Sequence, residues 1–235
     1  MPEKTHASVL GFYAGIFRYY DAANAFLTLG LDGRWRRTAA RAALLSGPER
    51  VLDVCCGTGA LAAEIRRLSH GTALVTGLDF SEEMLSEARK KYPEIHFLKG
   101  EAGRLPFPDA SFDALTLSFA TRNLAFGKTP LTDHFSEFRR VLKPGAIFVH
   151  LETSQPANRF IRRLFHLYVG AMVSAVKFIA PRGRTAYGFL AGTIASFHEP
   201  EELSKLILEA GFPEVTHRPL VFGAIALHTA VKGKE

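Results

Sequence analysis

The hydrophobic pattern from residue 50 onwards changes period repeatedly, from short apolar blocks to the three-and-four spacing of an amphipathic helix and back. "RVLDVCC" predicts a first strand that stops at glycine, and "GALAAEIRRLSH" a helix with a basic end. "ALVTGLDF" predicts a second strand ending at Asp79. "SEEMLSEARKKY" predicts a helix with Ser81 as N-cap, carboxylates in its first turn and Arg and Lys in its last, as the helix dipole favours. "EIHFLKG" follows as a third strand, and beyond the turn segment "LPFPDASFD" come "ALTLSFA" as a fourth, "HFSEFRRVL" as a helix, "KPG" as a stop and "AIFVHLE" as a fifth. This alternation predicts an α/β fold with a mainly parallel, doubly wound sheet. Strands that are apolar throughout agree with burial on both faces.

From Pro156 to Phe197 the rhythm changes to long helix-like segments with two basic clusters and the break "APRGR", which predicts a helical insertion over the carboxyl edge of the sheet. Alternation then returns. "EPEELSKLILEAGF" predicts a capped helix ending at Gly211, and "EVTHRPLVFGAIALHTAV" a pair of strands with no helix between them, hence antiparallel. No internal repeat or low-complexity block interrupts this order, and 235 residues fit one large α/β domain, or a domain with an insertion. At 47% hydrophobic and 22% charged residues the composition is that of a folded chain.

A net charge of +6 and an isoelectric point near 9.4 suit an anionic partner. The charge sits in "RWRR" and along Arg159, Arg162, Arg163, Lys177, Arg182 and Arg184, interleaved with Phe, Leu, Tyr and Val. That is an amphipathic basic region and not a polybasic tail, so a membrane surface is expected in preference to nucleic acid. The two cysteines are neighbours, and in a strand their side chains would point to opposite faces, so a bridge between them is unfavourable. Cys55 and Cys56 also lack a His partner and metal spacing. They read as small packing residues in a reducing, intracellular compartment, with no metal expected. The opening residues lack the pattern of a secretory signal, which gives the expectation of a mature, cytoplasmic protein.

Candidate chemistry concentrates at "VCCGTGALA". In an open α/β sheet, ligands bind beyond the carboxyl ends of the strands at the topological switch point, where this loop falls. Gly57 and Gly59 let backbone approach a ligand and turn sharply into a helix. The glycines alone also satisfy a loose dinucleotide pattern. Asp53 before them and Asp79 at the end of the second strand add carboxylates, and a carboxylate can accept two hydrogen bonds from a ribose diol, a group common to NAD and S-adenosylmethionine. None of the six tyrosines is followed by the lysine of a short-chain hydride enzyme, and no Walker lysine follows the second glycine. The adenosylmethionine reading is left ahead.

At this point the chain resembles the class I methyltransferases that C-methylate the quinone ring in menaquinone and ubiquinone biosynthesis. The resemblance is carried by "YYDAANAFLTLGLDGRWRR", "VLDVCCGTGALA", "GLDFSEEML", "LPFPDASFDALTLSFATRNL", "EFRRVLKPG", "AYGFLAGTIASF", "ILEAGF" and "GAIALH". It implies a Rossmann-like fold with a seven-stranded, mostly parallel sheet and helices on both faces, in a single domain over 1–235. Residues 1–45 would form an N-terminal helical cap and 156–198 a helical lid over the active site. It implies S-adenosylmethionine as cofactor, with Thr58 and the Gly57 to Gly59 backbone at the methionine part, Asp79 at the ribose, Glu101 and Ala102 at the adenine edge, Ser118 at the end of strand four, and Asp53 and Phe80 also among the cofactor-binding residues. Met84 could pack on adenine or simply fill core. Departures are Cys56 where a small glycine is usual, Ala60 where Asp is usual, Glu101 where Asn or Asp is usual, and "LETSQP" in place of "LEFSKP".

The implied reaction is methylation of a prenylated quinol ring, demethylmenaquinol or the ubiquinone-pathway equivalent. Such chemistry needs an electron-rich ring formed by loss of a phenolic proton, and Arg122 and Asn123 just beyond strand four are the expected catalytic pair. A guanidinium stabilises a phenolate or orients a water, and an asparagine holds that water or a ring oxygen. Arg122 as a surface or ion-paired residue is the alternative. His150, His198 and His228 are weaker candidates as proton relays. Tyr20, Phe119, Tyr168 and Tyr187 are the expected lining of the substrate pocket. Phe160, Leu164, Phe165 and Tyr168 with Arg159, Arg162 and Arg163 would give peripheral membrane affinity, since "LFHLYVGAMVSAVKFIA" is too short and interrupted to span. A homodimer is among the expected partners. Two other readings stay open, a methyltransferase for a different small molecule and a cofactor-binding protein without activity.

Overall fold

A computed structural model of the chain describes residues 20–125, 129–179 and 197–234, with side chains for all of these except 20–23 and 176–179. Helices α1 (Tyr20–Leu27) and α2 (Asp32–Ala43) precede β1 (Arg50–Val54), α3 (Ala60–Leu68), β2 (Leu74–Asp79), α4 (Glu82–Lys91) and β3 (His96–Lys99). There follow β4 (Phe112–Ser118), the single turn α5 (Thr121–Leu124), α6 (Leu131–Val141), β5 (Leu142–Thr153), α7 (Arg159–Ile179), α8 (Pro200–Glu209), β6 (Glu214–Leu220) and β7 (Ile225–Val231). The strands form one sheet of order β3-β2-β1-β4-β5-β7-β6. β1 to β5 are parallel, and β7 lies antiparallel between β5 and β6.

Alternation within the strands divides the core between two faces. Leu52 and Val54 of β1, Leu115 and Leu117 of β4 and Phe148 of β5 point to the side of α6 and α8, where Phe135, Phe138, Ile207 and Phe212 meet them. Val51, Ala114, Val149 and Leu151 point to the side of α2, α3 and α4, against Ala39, Ala40, Leu61, Ile65 and Leu85. The helices therefore cover both faces, and strand order reverses between β1 and β4.

Local chemistry explains the elements. Ser81 accepts a hydrogen bond from the Met84 N–H at 3.3 Å, capping α4 as its sequence predicts. At α8 the cap is Glu199, which exchanges bonds with Glu202 in a capping box, and Pro200 occupies the first turn. The structure differs from the sequence expectation around "KPG". Lys143, Pro144 and Gly145 do not separate helix from strand but lie within β5, where the register against β4 shifts between Phe112 and Ala114. The irregularity accommodates a proline inside a strand. The first strand ends at Val54, so neither cysteine belongs to it. Tyr187 and the break "APRGR" lie outside the described residues, as do 1–19 of the expected cap.

Candidate active site

Parallel register brings the carboxyl ends of the strands to one edge. Val54 is level with Leu78 on one side and Leu117 on the other, so the positions that follow, Cys55, Asp79 and Ser118, share the next rung. Cys55 there takes a left-handed backbone (φ 54°), and so does Phe119 after β4 (φ 55°). Both turn the chain out of the sheet at the switch point.

The glycine loop is tied to itself, where Gly59 N–H donates to Cys56 O at 2.9 Å, and to β2. Cys56 N–H donates to Leu78 O at 3.0 Å, and Gly57 N–H donates to Asp79 Oδ2 at 2.8 Å. Asp79 Oδ1 accepts the Ser81 N–H at 2.9 Å, so both carboxylate oxygens hold backbone donors, and two oxygens with about four lone-pair sites keep capacity for a ligand. Burial raises the Asp79 carboxyl, against the opposing pull of the Ser81, Gly57 and Phe80 N–H groups. A Cβ on Gly57 would meet nothing within 4 Å, so the loop faces open space there. A Cβ on Gly59, at φ 81°, would meet Phe97 at 2.7 Å.

Asp53 lies beneath the loop, almost fully buried. Thr116, its cross-strand neighbour on β4, donates to its Oδ1 at 2.7 Å, while Oδ2 has no hydrogen-bond partner among the described residues. Burial pushes its carboxyl up to about 7; Thr116, the Ala62 backbone and the Arg36 charge pull it down, and the Asp79 charge adds to the rise. An orphaned buried oxygen, a glycine facing open space and a carboxylate with spare acceptor capacity together fit a polar, positively charged ligand such as an adenosylmethionine.

Across the edge, α5 presents the Arg-Asn pair. Arg122 is buried, with Nε 3.2 Å from Glu152 Oε1, yet its Nε and Nη1 make no hydrogen bond among the described residues. Glu152 at the end of β5 is fully buried, and its Oε2 accepts the Thr121 N–H at 3.0 Å while Oε1 accepts the Thr153 N–H at 2.8 Å. Thr121 Oγ1 also lies 2.6 Å from His150 Nε2, whose imidazole burial holds well below its usual pKa. The turn carrying Arg122 and Asn123 is thus anchored to β5 through Thr121 and Arg122. The Asn123 N–H donates to Ala120 O at 2.9 Å.

The remaining expected residues are scattered around this edge. Met84 and Ala102 are buried, Phe80 is partly buried and Glu101 is exposed, bridged to Arg104. Phe119 lies beside Trp35, with ring centroids 6.3 Å apart, and under the Arg36 guanidinium at 5.8 Å. Tyr168 donates its hydroxyl to Leu27 O at 2.8 Å, joining α7 to α1. The side chain of Tyr20 is outside the described set. Cys55 and Cys56 are only partly buried, yet burial of the thiols pushes both well above the ordinary range, so neither is a thiolate. His228 donates to or accepts from nothing in the site; its Nε2 meets Pro200 O at 3.0 Å, and His198 pairs with Glu202 at the surface. No cluster among the described residues could hold a metal ion.

Glu152, Thr121, Thr116 and Arg36 are absent from the sequence-level expectation. Glu152 had a weak signal, a carboxylate closing an apolar strand; Arg36 is visible in "RWRR" only as charge.

This sheet order is the fold of the class I methyltransferases, and the family to which the chain belongs makes it a methyltransferase dependent on S-adenosylmethionine. A solved SAM-dependent methyltransferase from Thermotoga maritima superimposes with a TM-score of 0.62 at 21% identity, covering 95% of this chain and 100% of that one. More particularly, the chain belongs to the ubiE/COQ5 methyltransferase family, whose profile matches residues 1–232. It is 35% identical to a demethylmenaquinone methyltransferase of Chlorobaculum tepidum over 233 residues, 97% of this chain and 94% of that protein. It is 36% identical to a ubiquinone/menaquinone biosynthesis C-methyltransferase UbiE of Desulfotalea psychrophila, over 91% of this chain and 85% of that protein.

Proposed function

We propose that this protein methylates a ring carbon of a prenylated quinol, demethylmenaquinol or its ubiquinone-pathway counterpart. The observation that carries the reading is the buried Arg122 guanidinium, ion-paired through Nε with Glu152 and with Nη1 free of hydrogen bonds among the described residues, one turn beyond the strand that ends beside the glycine loop. The names of the two relatives support the acceptor class.

S-adenosylmethionine supplies the transferable methyl on its sulfonium. Gly57, Thr58 and Gly59 would hold its methionine part above Asp53, Asp79 and Phe80 the ribose, Met84, Glu101 and Ala102 the adenine, and Ser118 the side nearest the acceptor. A quinol hydroxyl has a pKa near ~10 by analogy with tyrosine and is mostly protonated at neutral pH. Arg122 favours the phenolate, and Asn123 holds the ring oxygen or the water that takes its proton. The ring carbon then gains methyl and loses hydrogen, with a net release of one proton. Alignment of the two reactants contributes up to roughly 7–11 kcal/mol. Phe119 and Tyr168, with Tyr20 and Tyr187, would line the acceptor side beneath the 156–198 lid, and peripheral contact of α7 with a bilayer would admit the prenyl tail.

Arg122→Ala and Asn123→Ala are the test. Calorimetry should show adenosylmethionine affinity within about threefold of wild type, while turnover of demethylmenaquinol falls on the order of 10²-fold or more. Full turnover in both variants removes the pair from the mechanism. Mass spectrometry of quinones in a deletion strain, with and without this chain, decides between the naphthoquinol and benzoquinol acceptors.

A further inference from the structure

β6 and β7 are joined by a short turn, Val221–Gly223, at the same edge of the sheet as the glycine loop, because Leu220 pairs with Ile225 and Ile225 with Thr153 at the end of β5. Val221 (φ 48°) and Phe222 (φ 55°) both take the left-handed conformation that Gly or Asn adopts without strain. Phe222 is 83% exposed, and Val221 is exposed beside it. A bulky apolar residue is therefore held in a costly backbone while remaining largely exposed, with little packing among the described residues to offset it. The turn is not isolated. A Cβ on Gly223 would stand 3.2 Å from Pro156 Cα, so the turn lies against the chain leading into α7. There Phe160 (70% exposed), Leu164 and Leu167 follow at helical spacing on an exposed stripe, flanked by exposed Arg159 and Arg163; Arg218 is exposed on β6.

We infer that the β6–β7 turn inserts Val221 and Phe222 into an anionic bilayer, as a second contact beside the first turns of α7, so that the carboxyl edge of the sheet faces the lipid. Charge selects the occupant: apolar side chains ringed by arginines fit an interface of acyl chains beneath anionic headgroups. No helix among the described residues is long and apolar enough to cross a membrane, so the contact is peripheral. The inference gives the prenylated-acceptor reading a route for the substrate, but the lipid contact itself stands on exposure and charge.

Flotation of the full chain with phosphatidylglycerol–phosphatidylcholine vesicles tests it. Wild type should float with these vesicles and less with phosphatidylcholine alone. Phe222→Asn should weaken partition about tenfold while raising the melting temperature by about 1–4 °C, because Asn suits the left-handed turn. Arg159→Gln with Arg163→Gln should weaken binding to the anionic vesicles alone. Turnover of a short-chain, water-soluble quinol should be unchanged in Phe222→Asn. Loss of that turnover in wild type would strike the proposed reaction and leave the lipid contact standing. Unchanged flotation of Phe222→Asn, or a wild type that ignores anionic vesicles and instead captures a protein through this turn, overturns the inference.

Discussion

Asp53 and Asp79 are both buried beside the glycine loop, and the two carboxyls meet that constraint differently. Asp79 is held by backbone donors on both oxygens, whereas Asp53 has Thr116 on one oxygen and nothing on the other. Burial raises the Asp53 pKa from 3.8 to about 7, so the folded ligand-free protein keeps that proton where the unfolded chain has lost it. The stability this contributes is whole below about 4 and is lost as pH rises through 7. Asp53→Asn should therefore gain on wild type by roughly 2–3 kcal/mol between pH 5 and pH 8, measured by urea unfolding without cofactor. A constant difference would show that the carboxyl titrates normally. Asp79 and the glycines were legible in the sequence because their places at strand ends follow from local pattern alone. Glu152 and Thr116 were not: their partners are 31 and 63 residues away, and only sheet register brings them together.

At the scale of elements, the loop after β1 and the strand β2 fit by exchange of volume. A Cβ on Gly77 would stand 2.6 Å from the Phe97 ring and 2.9 Å from Cys56 Sγ, so the space a side chain would need is already filled from β3 and from the loop. Gly77 thus makes room for the Cys56 side chain opposite it. Gly77→Ala should cost about 1–3 kcal/mol by overpacking, and Phe97→Leu in the same chain should return part of it. Additive losses in the double variant would sink this account. The alternation of strands and helices could be read from hydrophobic period, and the capped start of α4 from Ser81; the order of the strands in the sheet could not, because it depends on which non-consecutive strands pair. The proline inside β5 could not, since a Lys-Pro-Gly run signals a break locally and only the pairing of Lys143 to Asp113 and the shifted ladder keep it in the sheet.

Across the whole molecule, three histidines form a row over β5, β7 and β6: His150 opposite His228, and His228 opposite His217. Their rings lie 5.3 and 5.7 Å apart. Burial, reinforced by the His217 charge and opposed by Pro200 O, the His150 backbone and Glu201, lowers His228 from 6.5 to about 4, and burial lowers His150 well below 6.5. Unfolded imidazoles take protons below 6.5 that folded ones refuse, so their stabilisation is complete above 6.5 and is lost as pH falls towards 4. His228→Gln should flatten this loss by about 2 kcal/mol between pH 7 and pH 5; an unaltered acid limb in urea titrations would show the row to be inert. The sheet's far edge bears on the site in one more way. Ser154 N–H donates to Ala224 O at 2.9 Å, Arg162 Nε to Pro156 O at 2.8 Å, and Arg162 Nη2 lies 2.7 Å from Glu199 Oε1. The near end of α7 is pinned by these bonds to β7 and α8, within a few residues of the Glu152 that anchors Arg122. With Tyr168 tying the same helix to α1, α7 is moored at two points, and a displacement of its near end is passed through Pro156 and Ser154 to the carboxylate that steadies the guanidinium.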